Sequence, residues 1–191
     1  MTSPQLWLVR HGETAWSASG KHTGRTDIPL DDSGRARAGA LRPLVDAHAF
    51  ALVLTSPLVR ARETCDLAGF AGRATVDDDL QEWDYGAYDG RTTVEIRGER
   101  PDWSLWRDGC PGGETAADVA ARADRVVARA RSAGGDVIAF AHGHLLRVLA
   151  ARWVGLPASG GALLALDTAS VSVCGWERDQ AVVRRWNVTP P

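Results

Sequence analysis

Cysteine is scarce in this 191-residue chain: Cys65, Cys110 and Cys174 are odd in number, far apart, and form no Cys-x-x-Cys pair. That pattern excludes a disulfide framework, a cysteine zinc site and dithiol redox chemistry, and free thiols fit a reducing cytoplasm. Charge of one sign is also lacking. With 22 basic against 24 acidic side chains the formal charge is −2, so no general field draws the chain to nucleic acid or an anionic membrane. Any anion site is therefore local. Apolar runs are short: "LWLV" stops at Arg10, too soon for the core of a signal peptide, and no run reaches membrane length. Repeats, low-complexity tracts and linkers are missing too. The 45% hydrophobic content is enough for one core without cross-links, so residues 1–191 read as a single domain. Self-association is left open.

Three apolar runs stand out: "LWLV" at Leu6 to Val9, "ALVLT" at Ala51 to Thr55, and "VIAFA" at Val137 to Ala141. Unbroken runs imply burial on both faces, as in parallel strands covered by helices. A weaker strand lies at "ATV", Ala74 to Val76. Helical patterns fall between the strands. "SGRARAGALRPLVDAH" follows the first and should divide at Pro43, and "LVRARETCDLAG" follows the second. "TAAD" at Thr115 to Asp118 is a capping box, after which Val119, Ala123, Val126, Val127 and Ala130 recur with a helix's period. "HLLRVLAARWV" reads as the helix after the third run, and "SVSVCGW" and "AVVRRWNV" flank "ERDQ" as an antiparallel hairpin. The fold class is α/β: a three-layer α/β/α sandwich with a mostly parallel mixed sheet and a C-terminal antiparallel hairpin. Tyr85 to Gly113 is the least regular stretch and is placed to cover a site. The eight tryptophans are scattered and suggest no shared role.

Ligands of open α/β sheets bind outside the carboxyl ends of the strands. The first strand ends in Arg10, His11 and Gly12; the second leads to Ser56, Arg60 and Arg62; the weak strand leads to Glu82; the third run ends in "HGH", His142 to His144. Cations, imidazoles and a carboxylate thus converge from four segments. Arginine's planar fork matches phosphate oxygens, and glycines beside the histidines, Gly12 and Gly143, let backbone N–H groups approach an anion. Neutral imidazole is a competent nucleophile, so the set suits phosphoryl chemistry.

These motifs carry a resemblance. "LVRHGETAW", "SPLVRARET", "EWDYGAYDG", "GCPGGET" and "AHGH" resemble the histidine phosphatase superfamily, the phosphoglycerate-mutase-like proteins, in that family's order. The small acid-phosphatase and sedoheptulose-bisphosphatase-like branch is the most similar. The resemblance implies that His11 is phosphorylated, that Arg10, Arg60 and His142 clamp the phosphate, and that Glu82 is the proton donor. It further implies substrate contacts at His22, Thr23, Tyr85 and Arg147. Many relatives carry asparagine at the position of Ser17, whose hydroxyl can still bond a phosphate oxygen. A metal-free phosphomonoesterase is implied, with no cofactor and a small phosphorylated substrate, sugar phosphates or bisphosphates leading. The rivals are a mutase-type transfer, a noncatalytic phospholigand-binding protein, and a metal hydrolase using His11, His142 and His144.

Each residue also has an ordinary reading. His11 alone would be a strand-end histidine satisfied by backbone, and four converging segments outweigh that. His144 reads at least as well as structural support, and Arg62 as a salt-bridge residue. Ser17 and Thr23 fit plain turns. Most of Asp77, Asp78, Asp79 and Asp84 read as exposed loop charges around Glu82.

Overall fold

The three apolar runs form neighbouring strands of a six-stranded sheet in the computed structural model, which describes residues 3–191. The strands are β1 (Leu6–Arg10), β2 (Leu52–Thr55), β3 (Thr75–Val76), β4 (Val137–Ala141), β5 (Ser170–Glu177) and β6 (Gln180–Val188), in the order β3-β2-β4-β1-β5-β6. Strands β1 and β2 each run parallel to β4, and β3 runs parallel to β2. The hairpin adds β5 antiparallel to β1, then β6 at the edge. Only Arg178 and Asp179 separate β5 from β6, and Arg178 takes φ +53° to make that turn.

The helices are α1 (Ala15–Ala18), α2 (Asp32–Ala40), α3 (Arg42–Val45), α4 (Val59–Cys65), α5 (Thr93–Glu99), α6 (Leu105–Asp108), α7 (Ala116–Ser132) and α8 (Gly143–Trp153). Side chains alternate across a strand, so Leu6 and Leu8 face one core while Trp7 and Val9 face the other. Helices α7 and α8 close the first core with Val119, Ala123, Val126 and Leu149. Residues Leu41, Val45 and Cys65 of the opposite layer close the second. Burial on both faces is why the runs are unbroken. Pro43 divides the first helical stretch as expected, standing in the first turn of α3, where its missing N–H costs nothing. Among the described residues no helix is long and apolar enough to cross a membrane.

Two expectations need correction. The stretch from Tyr85 to Gly113 holds α5, α6 and a 3₁₀ turn, and α5 opens with a capping box in which Thr92 and Glu95 satisfy each other's backbone. Those helices are too short to show a periodic apolar face. The acidic residues near Glu82 are not loose charges: Asp77 is buried and pairs with Arg129 at 2.6 Å, Asp79 pairs with Arg125 at 2.5 Å, and Asp84 with Arg25 at 3.1 Å.

The turn after β1 is braced by a glycine pair. A Cβ on Gly12 would overlap the Gly34 carbonyl at the start of α2, and one on Gly34 would overlap the Glu13 carbonyl. Backbone cannot yield as a flexible side chain would. Gly34→Ala is therefore expected to lower unfolding free energy by roughly 1–3 kcal/mol, the usual cost of overpacking, readable by urea denaturation. A value within error of wild type would show that the brace is dispensable.

Candidate active site

Because β1, β2 and β4 are mutually parallel, their carboxyl ends open at one edge and bring His11, Ser56 and His142 together. Two backbone bonds pin His11: its N–H donates to the Ala141 carbonyl at 3.1 Å, and its carbonyl accepts from the Ala169 N–H at 2.9 Å. Arg10 and His11 line one cavity of about 190 Å³ with Ser17, His22, Thr23, Glu82, Tyr85, Gly143 and Arg147.

The imidazole of His11 is prepared as a nucleophile. Its Nδ1 lies 2.6 Å from the Gly12 carbonyl, an acceptor only, so Nδ1 carries the proton and Nε2 keeps its lone pair. Burial, then the charges of Arg60 and Arg10, hold its pKa well below the ordinary 6.5. Beside it, Arg10 donates from Nη1 to the Leu166 carbonyl, while its buried Nε has no partner among the described residues. An unpaired guanidinium N–H on a residue that lines a cavity suits an anionic guest. The glycine at 143 makes room for this, since a Cβ there would sit 3.3 Å from the guanidinium.

Glu82 is held from the far end of the sequence. Its Oε1 accepts from the N–H groups of Trp83 at 2.8 Å and Leu145 at 2.9 Å, and its Oε2 from the His144 N–H at 3.0 Å. The carboxyl group thus caps the first turn of α8, accepting from N–H groups that have no partner within the helix. Arg122 secures the other side: it pairs with Glu114 at 2.8 Å and donates to the carbonyls of Asp79, Gln81 and Glu82.

Arg60 and His142 stand one layer behind this surface, although both were expected in the phosphate clamp. Arg60 is fully buried; Nε donates to His142 Nδ1 at 3.2 Å, and the Nη atoms donate to the carbonyls of Thr23, Gly24 and Thr26. Nε2 of His142 then donates to Ser56 Oγ at 2.8 Å. Both nitrogens of His142 are thereby engaged, with its ring 5.2 Å from that of His11. Among the described residues no three His, Cys, Asp or Glu side chains are grouped to hold a metal ion.

The expected substrate contacts differ in freedom. Ser17 is the N3 partner of Thr14 in the capping box of α1, and its hydroxyl donates to the Thr14 carbonyl at 3.1 Å. The hydroxyl proton turns to its own helix cap, and the residue lines the cavity. The Thr23 hydroxyl donates to the Lys21 carbonyl at 3.3 Å. His22 meets Thr93 Oγ1 at 3.1 Å and packs 4.9 Å from the Tyr85 ring. Arg147 donates to the Gly161 carbonyl at 2.9 Å while its guanidinium lies over Trp106. Arg62 is exposed and outside the cavity.

The sequence model of the histidine phosphatase superfamily (branch 1) matches residues 6–189. The chain belongs to the histidine phosphatase superfamily. It is 44% identical to an acid phosphatase of Mycobacterium tuberculosis over 91% of this chain and 87% of that protein. It is 40% identical to sedoheptulose 1,7-bisphosphatase of Saccharomyces cerevisiae, over 81% of this chain and 69% of the relative. A solved mycobacterial glucosyl-3-phosphoglycerate phosphatase in complex with VO3 superposes with a TM-score of 0.86 at 27% identity, covering 98% of this chain and 100% of that one.

Two residues of this histidine phosphatase, Lys21 and Arg122, escaped the sequence reading, and a third, His144, reads there at least as well as structural support. His144 lines the cavity and meets the Tyr85 hydroxyl at 2.6 Å. Lys21, the only lysine in the chain, stands at the cavity beside Trp16. Arg122 anchors the Glu82 segment but shows in sequence only as one of many arginines on α7. Trp103 and Trp106 also gather here, next to His22 and His144 respectively.

The buried histidines set a pH dependence for this histidine phosphatase. Burial holds His11 and His142 well below their ordinary value of 6.5, so both stay neutral in the folded chain where the unfolded chain takes up protons. Their depressed values make stability full above pH 6.5 and progressively lost as pH falls below it. The slope approaches about 1.4 kcal/mol per pH unit for each histidine. Urea unfolding at pH 7.5, 6.0 and 5.0 checks this; equal stability across the series would contradict it.

Proposed function

We propose that this chain hydrolyses small phosphorylated metabolites, sugar phosphates or bisphosphates foremost, through a phosphohistidine formed on His11. The observation that carries the reading is the pairing of a neutral His11, proton on Nδ1 and lone pair on Nε2, with the Arg10 guanidinium on the lining of the same cavity. An acid phosphatase and sedoheptulose 1,7-bisphosphatase among the relatives support the substrate class. So does the cavity: about 190 Å³ suits a phosphate on a short carbon chain better than a folded phosphoprotein surface.

Nε2 of His11 attacks phosphorus in line, and the bond to the ester oxygen breaks. Arg10 and the Gly143 N–H at the start of α8 stabilise the equatorial oxygens, and positioning with charge stabilisation does most of the work. Arg60 contributes its charge; of its five N–H groups one on Nη1 is uncommitted. His142 orients Arg60 and can donate to phosphate only by giving up Ser56. Glu82 enters the cycle as the carboxylic acid and gives its proton from Oε2, the oxygen with one amide bond instead of two, to the departing alkoxide, becoming the carboxylate. It then takes a proton from the water that cleaves phospho-His11, releasing phosphate and restoring the imidazole.

We also place the protein in a reducing compartment, the cytoplasm. Cys65, Cys110 and Cys174 are all free and buried, with burial pushing each thiol up to about 12. A competition panel of metabolite phosphates scored by kcat/KM tests the substrate class. Release of free phosphate with sugar phosphates at the top of the ranking supports the proposal. Isomerisation of a phosphoglycerate without free phosphate would replace it with the mutase reading.

A further inference from the structure

The cavity that Arg10 and His11 line also holds an imidazole with no part in the phosphoryl transfer. His144 meets the Tyr85 hydroxyl through Nδ1 at 2.6 Å, and its Nε2 has no partner among the described residues although the residue lines the cavity. The direction of the Tyr85 bond follows from bookkeeping. A buried phenol must donate its proton, and Nδ1 of His144 is the one partner that the Tyr85 hydroxyl has among the described residues. Burial, reinforced by Glu82, keeps that phenol protonated. Burial and then the charge of Arg147 keep the imidazole neutral. A neutral imidazole that accepts at Nδ1 carries its proton on Nε2.

The backbone of the same residue holds the acid, since the His144 N–H donates to Glu82 Oε2 at 3.0 Å. One residue therefore fixes the proton donor and presents a second, neutral donor next to it. The surroundings are aromatic: the Trp106 ring lies 5.3 Å from that of His144, and the His22 ring 5.9 Å. The His22 and Tyr85 rings that line the cavity suit the carbon chain of a ligand, while a neutral N–H suits a hydroxyl or ether oxygen.

We propose that His144 is a specificity-determining residue whose Nε2–H, fixed by the Tyr85 hydroxyl, bonds an oxygen of the leaving group and so selects polyol and sugar phosphates over plain alkyl phosphates. This rests on the phosphatase reading and deepens it. Tyr85 acts as a positioning residue, because without its hydroxyl the proton of His144 is free to move to Nδ1.

The test compares glycerol 3-phosphate with propyl phosphate, which has the same carbon chain without the hydroxyls, and reads the ratio of their kcat/KM values. Wild type is expected to favour glycerol 3-phosphate. His144→Phe and Tyr85→Phe are each expected to reduce the ratio about tenfold, the scale of one neutral hydrogen bond. His144→Gln, which places an amide N–H near the position of Nε2, is expected to restore most of it. A ratio in Tyr85→Phe equal to that of wild type overturns the inference even if His144→Phe fails to fold. So does a wild-type ratio near one with both esters hydrolysed, which leaves the phosphatase reading intact. Failure of wild type to hydrolyse either ester overturns both.

Discussion

Replacing His11 with alanine is expected to eliminate the covalent phosphoenzyme and to reduce turnover by roughly 10⁴- to 10⁶-fold, the range observed when a member of a covalent catalytic unit is removed. The backbone bonds of residue 11 to Ala141 and Ala169 do not involve the ring, so the strand end keeps its place in the variant. What disappears is the Nε2 lone pair. Arg10 and Gly143 remain to bind phosphate, so inorganic phosphate should still inhibit or be detected by titration. The check is rapid quench with a phosphorus-labelled substrate, followed by a search for acid-labile, base-stable label. Label at histidine in the alanine variant would assign the nucleophile elsewhere.

Glu82→Gln is expected to slow hydrolysis of an alkyl phosphate by about 10²- to 10⁴-fold, the usual contribution of a positioned general acid. The amide oxygen can accept the Trp83 and Leu145 N–H bonds, but its NH₂ would then face the His144 N–H, two donors with no acceptor between them. Some local shift of the α8 start accompanies the loss of the proton. Leaving-group dependence separates the two effects. An aryl phosphate, whose phenolate departs without protonation, should lose far less than an alkyl phosphate if Glu82 is the acid. Equal losses on both esters would assign Glu82 a purely structural role.

Strand ends were legible in the sequence because burial on both faces leaves an unbroken apolar run, and Arg10, His11 and His142 follow directly from where the runs stop. Tertiary partners were not. Arginine has five N–H groups, and nothing around Arg60 in the sequence shows that its Nη atoms turn to loop carbonyls at Thr23, Gly24 and Thr26. Glu82 was distinguishable from its acidic neighbours only by resemblance, since two of its three amide partners lie on α8, 62 and 63 positions along the chain. His144 was misplaced for a local reason. Residues two apart on a helix point to different sides, but His142 is the N-cap, with extended backbone at φ −127° and ψ 167°, so helical spacing does not relate the two rings. Ser17 shows the converse: its type suits a ligand contact, while its hydroxyl proton turns to the cap of the short helix α1.

Because Lys21 is the chain's one lysine side chain and lines the cavity, amine-selective reagents have a single side-chain target, and it sits at that cavity. A small fluorophore attached there would report occupancy of the pocket optically, in the native enzyme, with no mutation to install the attachment point. The α-amine reacts at lower pH and can be blocked first. An arginine-rich composition thus leaves the enzyme with a ready-made handle for following its own turnover.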